Sequence, residues 1–315
     1  MYFTNTHFDD FDSFREAAAL WDLDFNLLGK NDFDALLTLF SAEQVQIGRT
    51  SINGKVDQNG LCPEGFRSFV IPIDYSSGFV WLHKKVEDEP ILVFPKDGTL
   101  DSVSFNGFDV YVVSIEEQYL FSLMDDRGYT NLPHLLSPGN ELKLHLDMDF
   151  KEQFHRKADH FLSLGKISNH YHRPNFKELV HDIIDLLLEY LEENNMVKNS
   201  AVQRKRDLAL KKASEYVRNH VEEYISISEL CKAGGVSERT LEYAFRETYQ
   251  VSPKEYIKSI KLNKVRSQLR KAYGQMVSSI AAQYGFWHMG QFAADFKERF
   301  GVLPSELQKN TFPKK

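Results

Sequence analysis

The spacing of apolar residues changes near residue 150, and this change constrains the fold of the chain more than any other feature. Before that point, β-branched and aromatic residues occur in short runs separated by glycine turns, which is typical of strands. After it, apolar residues recur at positions i, i+3, i+4 and i+7, the spacing of a helix face. The 315 residues suffice for two domains that each bury a core. We therefore predict a multidomain chain that is mainly β at first and all-α at its end.

The first part contains many short predicted strands. A helical opening at about 12–21 precedes a β-rich stretch at about 33–120. Predicted strands cover 35–40, 45–49, 68–73, 79–82, 91–94 and 110–115, and predicted turns lie at Asn53-Gly54, Asn59-Gly60, Ser77-Gly78, Asp97-Gly98 and Asn106-Gly107. Short strands joined by tight turns indicate a sandwich or a small barrel.

Two predicted helices, 151–164 and 175–195, follow the strands and complete a predicted domain at 1–195. The second helix carries a broad apolar stripe made of Phe176, Leu179, Val180, Ile183, Leu186, Leu187, Tyr190 and Leu191. Such a stripe needs a partner surface, and two compatible partners stay open: the β-domain of the same chain, or a second copy in a homodimer. The polar residues that follow predict a linker at 196–203.

The net charge of −7 hides a strong division between the two parts of the chain. Residues 1–200 contain 17 Lys and Arg against 33 Asp and Glu, whereas residues 201–315 contain 21 against 12. Salt screens charges beyond about 10 Å, so the acidic part does not cancel the basic part. The last third can therefore follow the phosphates of a nucleic acid.

Composition excludes several other classes of protein. Apolar residues make up 42% of the chain and charged residues 26%, and no apolar run has the roughly 20 residues that a membrane helix needs. The first residues show neither a basic start nor an apolar core of a signal peptide, so we expect a cytoplasmic protein. Cys62 and Cys231 stand far apart and predict neither a disulfide framework nor a metal cluster.

The basic part contains a first outline of helix, tight turn and helix at 226–249. Ser226 and Glu229 predict a capping box, Gly234-Gly235 a turn, and Val236 a plug between the helices. Leu230 and Cys231 would face inward on the first helix. Ser237 caps the second helix, whose predicted inner face is Leu241, Ala244 and Phe245 and whose outer face is Arg239, Glu242, Tyr243 and Arg246. That outer face has the side chains and spacing to enter a major groove.

The outline recurs about fifty residues later, at 277–300, which suggests an internal duplication. Ile280 and Ala281 face inward, Gly285 makes the turn and Phe286 is the plug. The predicted second helix buries Phe292, Phe296 and Phe300 and leaves polar tips on His288, Gln291, Lys297 and Arg299. A capped helix from Pro253 to about residue 271 separates the units, and at 1.5 Å per residue its length of roughly 27 Å suits two reading helices about one DNA turn apart.

The residues of both units resemble the AraC/XylS family of transcription regulators. The stretch GFWHMGQFAADFKERFGVLPSE resembles the C-terminal signature of that family, and the likeness extends over 205–308 through ISISELCKAGGVSERTLEYAFRETYQVSPKEYIKSIKLNKVRSQL. The resemblance implies a DNA-binding domain at about 204–310, promoter DNA as the target, activation through RNA polymerase, and no enzymatic activity or cofactor.

The resemblance also implies roles for individual residues. Arg239, Glu242 and Tyr243 would face bases from the first recognition helix, with Arg246 near a phosphate. On the second recognition helix the groove-facing positions are His288, Met289, Gly290, Gln291, Ala293 and Ala294, with Lys297 near a phosphate. Small residues there offer few hydrogen-bond donors, so we expect readout of the second half-site through DNA shape, phosphates and thymine methyl groups rather than through many hydrogen bonds to base edges. His288 and Leu303 replace the residues that usually cap the helices after them.

The N-terminal part resembles relatives in the branch of ethanolamine-utilisation regulators, through LVFPKDGTLDSVSFNGFDVYVVSIEEQYL. That likeness implies a cupin-like β-barrel sensor domain. Two roles stay open for it: binding a small-molecule effector, for which Phe69, Phe79, Trp81 and Phe94 could line a pocket, or dimerisation alone.

Two other classes of protein, a cupin-type enzyme and an architectural DNA-binding protein, share some of these features. A cupin-type enzyme would need metal ligands aligned on barrel strands, but His83 stands alone there, and the closely spaced His170 and His172 follow the barrel beside a proline. A DNA-binding architectural protein without sequence preference would fit the basic charge but does not explain paired recognition helices.

Overall fold

Short runs of β-branched and aromatic residues form two stacked antiparallel sheets in the first part of the chain. The computed structural model describes residues 2–18, 22–30, 33–74, 78–136, 142–167, 175–194, 197–198 and 205–311. The strands are β1 Tyr2–Phe8, β2 Asp22–Leu27, β3 Asp34–Ser41, β4 Val45–Asn53, β5 Val56–Leu61, β6 Phe66–Asp74, β7 Phe79–Trp81, β8 Lys84–Lys85, β9 Ile91–Phe94, β10 Thr99–Ser104, β11 Phe108–Glu116, β12 Leu142–Leu144 and β13 Val197–Lys198.

Helices flank the sheets and then make up the rest of the chain. Those of the first part are α1 Phe11–Ala17, α2 Glu117–Asp126, α3 Leu132–Leu135, α4 Met148–Ile167 and α5 Phe176–Glu193. Those of the helical region at 205–311 are α6 Lys205–Asn219, α7 Ile227–Gly234, α8 Glu238–Thr248, α9 Pro253–Lys271, α10 Val277–Gln283, α11 Met289–Phe300 and α12 Pro304–Thr311. Among the described helices, none has the length and apolar character needed to cross a membrane.

The larger sheet has the strand order β1-β3-β4-β11-β6-β9-β12-β13, and the smaller sheet has the order β2-β5-β10-β7-β8. Within the described residues each sheet is open, because its first and last strands do not pair with each other. The predicted closed, cupin-like barrel is therefore not confirmed, whereas a β-rich first part followed by a helical region is.

Side chains alternate across each sheet, so each sheet has one face toward the other and one face toward helices. Ile47, Phe69 and Val113 on the outer face of the larger sheet pack against helices α2, α4 and α5 in one buried cluster. The outer face of the smaller sheet instead packs against the helical region, where Val80 and Val103 share a cluster with Leu210 and Phe245. The result is four layers in the order helix, sheet, sheet, helix.

The apolar stripe on α5 packs against its own β-rich part, as one of the two open predictions stated. Ile183, Leu187 and Leu191 have almost no exposed surface. The compatible prediction that this stripe also forms a dimer contact stays a prediction. Phe176, Leu179 and Leu186 are partly buried against the same cluster.

Several local predictions also need correction. The Asn59-Gly60 pair lies inside β5 rather than in a turn. The described strands that were not predicted are β1, β2, β5, β8, β10, β12 and β13. Of these, β1, β2, β5 and β10 are rich in polar residues, as in VDQNGL of β5, and β8, β12 and β13 have only two or three residues. The opening helix, predicted at 12–21, covers Phe11–Ala17, and residues 19–21 lie outside the described residues. Only residues 197–198 of the predicted linker are described, and they pair with β12 as β13.

Candidate nucleic-acid interface

Helix α8 is held by a cap and a buried inner face, as the sequence predicts. The Ser237 hydroxyl accepts a hydrogen bond from the backbone N–H of Thr240 at 3.3 Å, so it satisfies one free donor at the helix start. Leu241, Ala244 and Phe245 are buried against the rest of the helical region. The turn before the helix passes through Gly235, whose φ of +65° is a conformation that glycine adopts without strain.

The opposite face of α8 is turned away from the buried core of the helical region. Arg239, Tyr243 and Arg246 are exposed and Glu242 is partly exposed, at the spacing of a single helix face. Glu242 accepts a hydrogen bond from Arg246 at 2.6 Å, so these two predicted contact residues already form a pair on the helix. An exposed Arg can donate two hydrogen bonds to guanine, and an aromatic ring can pack on a thymine methyl group.

Arg206 lies beside this face and was missed by the sequence reading. Its guanidinium carbon lies 5.4 Å from the centre of the Tyr243 ring, and its NH1 forms an ion pair with Glu247 at 2.5 Å. Arg206 belongs to α6, more than thirty residues before Tyr243, so no local pattern points to their contact. It adds a positive charge next to the predicted groove-facing side chains.

Helix α11 presents the second set of predicted residues. His288, Gln291 and Lys297 are exposed, and Met289 is partly exposed. Gln291 donates a hydrogen bond to Asp295 at 3.0 Å, one turn further along the helix. Gly290 and Ala294 are also exposed and Ala293 is partly exposed, which leaves a shallow surface between the polar tips. His288 occupies the N-cap position without a side-chain cap hydrogen bond, in line with the weak cap that the sequence predicts.

The prediction of an exposed polar tip on Arg299 is wrong. This side chain is buried, and it donates hydrogen bonds to the carbonyl oxygens of Leu27 at 3.1 Å, Leu28 at 2.5 Å and Gly29 at 3.0 Å. It also pairs with Glu255 at 2.5 Å. Arg299 therefore joins α11 to the end of strand β2 and has no exposed polar tip.

The caps predicted around the two units are found in part. Ser226 and Glu229 make the full capping box. Ser252 caps α9 by accepting from the backbone N–H of Glu255, but the Glu255 carboxylate turns to Arg299 instead of completing a box. Leu303 lacks a capping hydroxyl, and its backbone N–H donates to the carboxylate of Glu306 at 2.8 Å.

Helix α9 fixes the two helix pairs relative to each other and to the β-rich part. The ammonium group of Lys261 donates to the carbonyl oxygens of Glu223 at 2.6 Å and Tyr284 at 3.2 Å, which lie beside the first and second pairs. Burial lowers the pKa of Lys261 from its usual value. On the same helix, Asn263 donates to Leu27 O at 2.9 Å and accepts from Leu27 N–H at 3.0 Å.

Acidic residues of the β-rich part meet basic residues of the helical region at this junction. Arg266 pairs with Asp12 at 2.6 Å and with Asp10 at 2.8 Å, and Arg218 pairs with Asp57 at 3.0 Å. Some of the opposite charges that the sequence places in the two regions therefore form ion pairs that join them. The cations on the α8 and α11 faces are outside this junction.

Two buried carboxylates at the junction have pKa values shifted in opposite directions. Burial raises the pKa of Asp57 to about 6, against the opposing charge of Arg218. Burial also acts to raise the pKa of Asp101, but the hydrogen bond and charge of His83 and the charge of Arg218 hold it at about 2. The His83 ring is hydrogen-bonded to the Tyr249 hydroxyl at 2.9 Å and lies 3.3 Å from the Asp101 carboxylate. This histidine therefore links the β-rich part to the helical region.

The histidines weighed as metal ligands are described only in part. Across the described ranges, His, Cys, Asp and Glu side chains form no group of three that could hold a metal ion. His170 and His172 lie outside the described residues.

A cavity of about 110 Å³ lies between the two sheets. Helix α1 and strand β2 contribute Phe14 and Phe25 to its wall, and the remaining wall comes from the inner faces of both sheets. Of the four predicted pocket aromatics, Phe79 and Phe94 line this cavity. Phe69 and Trp81 do not belong to the lining, and Phe69 packs instead in the helix-facing cluster of the larger sheet.

Comparison with known proteins places the C-terminal part in a family. The sequence model of a family described as a helix-turn-helix domain matches residues 230–310. The chain is 33% identical over 96 residues to the probable thc operon regulatory protein of Rhodococcus erythropolis, which covers 30% of this chain and 29% of that protein. It is 28% identical over 152 residues to the XylDLEGF operon transcriptional activator of Pseudomonas putida, covering 48% and 44%. The chain thus spans less than half the length of these curated relatives.

Solved structures of similar proteins were also found. One is a probable AraC family transcriptional regulator from Rhodopseudomonas palustris, 29% identical, with a TM-score of 0.32 over 33% of this chain and 98% of that one. Another is the AraC-like transcriptional activator CuxR, 13% identical, with a TM-score of 0.42 over 87% and 96%.

These relatives are an operon regulatory protein and a transcriptional activator, in agreement with the prediction of a transcription regulator. The narrower likeness to ethanolamine-utilisation regulators is not shown by these comparisons and stays a prediction. The C-terminal part of this chain is a helix-turn-helix domain of the AraC/XylS family of transcription regulators.

Proposed function

We propose that the chain is a sequence-specific, DNA-binding activator of transcription that reads promoter DNA with helices α8 and α11. The observation that carries this proposal is the pair of exposed polar helix faces, each placed after a tight glycine turn and each free of the junction with the β-rich part. Recognition helices of helix-turn-helix proteins enter the major groove in this way. The operon regulators that the chain resembles support the same function.

Individual side chains take different roles in this proposal. Arg239, Glu242 and Tyr243 read bases from α8, and His288, Met289 and Gln291 read the second half-site from α11. Arg246 and Lys297 contact phosphates, which set the position of the protein on DNA without specifying the sequence. Arg206 adds a further phosphate contact beside Tyr243.

The domain boundaries belong to this proposal as well. Residues 1–195 form the sensor or dimerisation domain, 196–203 the linker and 204–310 the DNA-binding domain with helix-turn-helix units at 226–249 and 277–300. The cavity between the sheets favours effector binding over a role in dimerisation alone, since it offers an apolar site close to the junction. A homodimer, contact with RNA polymerase and a cytoplasmic location are further parts of this proposal, which rest on the resemblance to transcription regulators.

Capture of the DNA bound to the tagged protein in its host tests the proposal, followed by binding to the strongest site at several salt concentrations. We expect discrete promoter sites that share two short elements about one turn apart, and an affinity that falls steeply with salt. An increase of transcription from that promoter would support activation. Diffuse binding without a common motif would contradict sequence-specific regulation and favour the architectural alternative.

A further inference from the structure

The cavity between the two sheets has an apolar wall. Aromatic and aliphatic side chains form most of it, among them Phe25, Phe79, Phe94, Phe108 and Val110. Its volume of about 110 Å³ is close to the roughly 150 Å³ of an apolar protein cavity that takes up benzene. A site of this size admits about one aromatic ring.

The wall carries no charge. Among the lining residues that the structure describes there is no Asp, Glu, Lys, Arg or His. The charged side chains of the smaller sheet, such as Asp57 and Asp101, lie on strands beside Gln58 and Ser102 but point to the opposite face, where they meet Arg218. An ion placed in the cavity would lose its hydration without gaining a partner of opposite charge, and this loss is expensive.

One polar group in the wall lacks a hydrogen bond. The Ser102 hydroxyl is buried and has no hydrogen-bond partner in the described part of the chain. The other buried polar side chains of the wall are already paired: Gln58 donates to Ser104 at 3.2 Å, and Ser114 is bonded to Ser68 at 2.8 Å. Buried hydroxyls are normally satisfied, so the free one at Ser102 indicates where a bound molecule would place its own polar atom.

We propose that this cavity binds a small, uncharged, mainly apolar molecule of about one aromatic ring, oriented by a hydrogen bond between its single hydroxyl or carbonyl group and the Ser102 hydroxyl. The inference rests on the proposed function in that this molecule is the effector of the regulator. Two elements of the cavity wall also contact the DNA-binding domain directly. Helix α1 places Phe14 in the cavity wall and Asp12 against Arg266 of α9, and β2 places Phe25 in the wall and Leu27 against Asn263.

Calorimetric titration of the full chain with phenol, toluene and benzoate tests the ligand class. These three probes share a ring and differ in polarity and charge. We expect saturable binding of phenol, weaker binding of toluene because it cannot bond to Ser102, and no binding of benzoate. Binding of benzoate as strong as that of phenol would overturn the uncharged class.

Two serine variants test the orientation. Ser102→Ala should weaken phenol binding by about 2- to 13-fold, the effect of one hydrogen bond, and leave toluene binding unchanged. Ser114→Ala is the matched control, because its hydroxyl also lies in the wall but already bonds to Ser68. Equal effects of the two variants on phenol binding would refute the role of Ser102.

Val110→Phe tests the place of binding by filling the cavity. It should abolish phenol binding, and phenol binding that survives in a folded variant would show that the molecule sits elsewhere. The same preparations are tested for DNA binding without ligand. If none of the three probes binds while the unaltered chain binds specific DNA, the inference about the cavity fails and the proposed regulatory function stands. If the unaltered chain shows no specific DNA binding, the proposed regulatory function itself is contradicted.

Discussion

The two exposed arginines of α8 are proposed to make different kinds of DNA contact. Arg239 lies in the first turn of the helix, where a side chain reaches base edges, and Arg246 lies two turns later and is paired with Glu242. Both are exposed. Position along the helix, rather than exposure, distinguishes the proposed base contact from the phosphate contact.

Arg239→Ala should weaken binding to the cognate promoter site by about 1–3 kcal/mol, with little effect on unrelated DNA, because a base contact discriminates between sequences. Arg246→Ala is the control, and we expect it to weaken binding to both DNAs to a similar degree and to reduce the salt dependence. Fluorescence anisotropy with the two DNAs measures the affinities. An equal loss on both DNAs for Arg239→Ala would assign that residue to phosphate.

Buried carboxylates at the junction make the stability of the chain depend on pH. The pKa of Asp57 is raised to about 6, above its value of about 3.9 in an unfolded chain. Its contribution to stability is therefore full below about pH 4 and is lost as pH rises through 6. The groups facing it are Arg218 on α6, Tyr256 on α9 at 3.4 Å, and the charges of Asp101 and Asp24.

Asp57→Asn cannot ionise, so we expect the stability of this variant relative to the unaltered chain to improve as pH rises from 4 to 7. Urea denaturation at several pH values measures this difference. Asp101→Asn is the comparison variant: the pKa of Asp101 is about 2, so its own contribution is lost as pH falls from about 5 toward 2. Removing its charge also lowers the pKa of Asp57, so between pH 5 and 7 the stability of this variant relative to the unaltered chain should improve less than that of Asp57→Asn. A constant difference between Asp57→Asn and the unaltered chain from pH 4 to 7 would contradict the raised pKa.

At the scale of the elements, Gly235 and Gly290 occupy positions that differ in whether the backbone conformation requires glycine. Gly235 ends α7 with a φ of +65°, a conformation that other residues adopt only with strain. Gly290 lies within α11, and a Cβ atom added there would meet no heavy atom within 4 Å among the described residues. One glycine is needed by the backbone, whereas the other only makes its helix more flexible.

Gly235→Ala should lower the free energy of unfolding by about 1–2 kcal/mol, and Gly290→Ala should raise it by about 0.5–1 kcal/mol, because alanine favours the helix more than glycine does. Thermal or urea denaturation of the two variants provides the measurement, and each serves as the control for the other. Stabilisation by Gly235→Ala would show that the turn does not need its left-handed conformation.

At the scale of the whole molecule, the end of strand β2 is where buried hydrogen bonds join the β-rich part to the helical region. Asn263 satisfies both backbone groups of Leu27, and Arg299 binds the three carbonyl oxygens of Leu27, Leu28 and Gly29. These contacts are buried, unlike the surface pair of Lys264 and Asp24 beside them. The strand end is thus held by side chains from two helices of the DNA-binding region.

Asn263→Ala should cost about 1–3 kcal/mol of stability, because it leaves the buried N–H of Leu27 without an acceptor. Lys264→Ala on the next residue should cost less than about 1 kcal/mol, since it removes only an exposed ion pair. Hydrogen exchange at the Leu27 amide should accelerate in Asn263→Ala alone. Similar costs and similar exchange in both variants would show that the Asn263 contact does not hold the junction.

The sequence by itself determined the helical region and the faces of its two helix pairs, because helix caps, glycine turns and apolar spacing are local signals. Arg239 and Lys297 are exposed as predicted for this reason. Tertiary structure alone decided which polar residues are buried. Arg299 has the spacing of a surface residue on α11, and strands β5 and β10, which the sequence did not predict, contain the buried Asp57 and Asp101. The packing of the helical region against the smaller sheet supplies their partners, and no local pattern records contacts between residues more than a hundred positions apart.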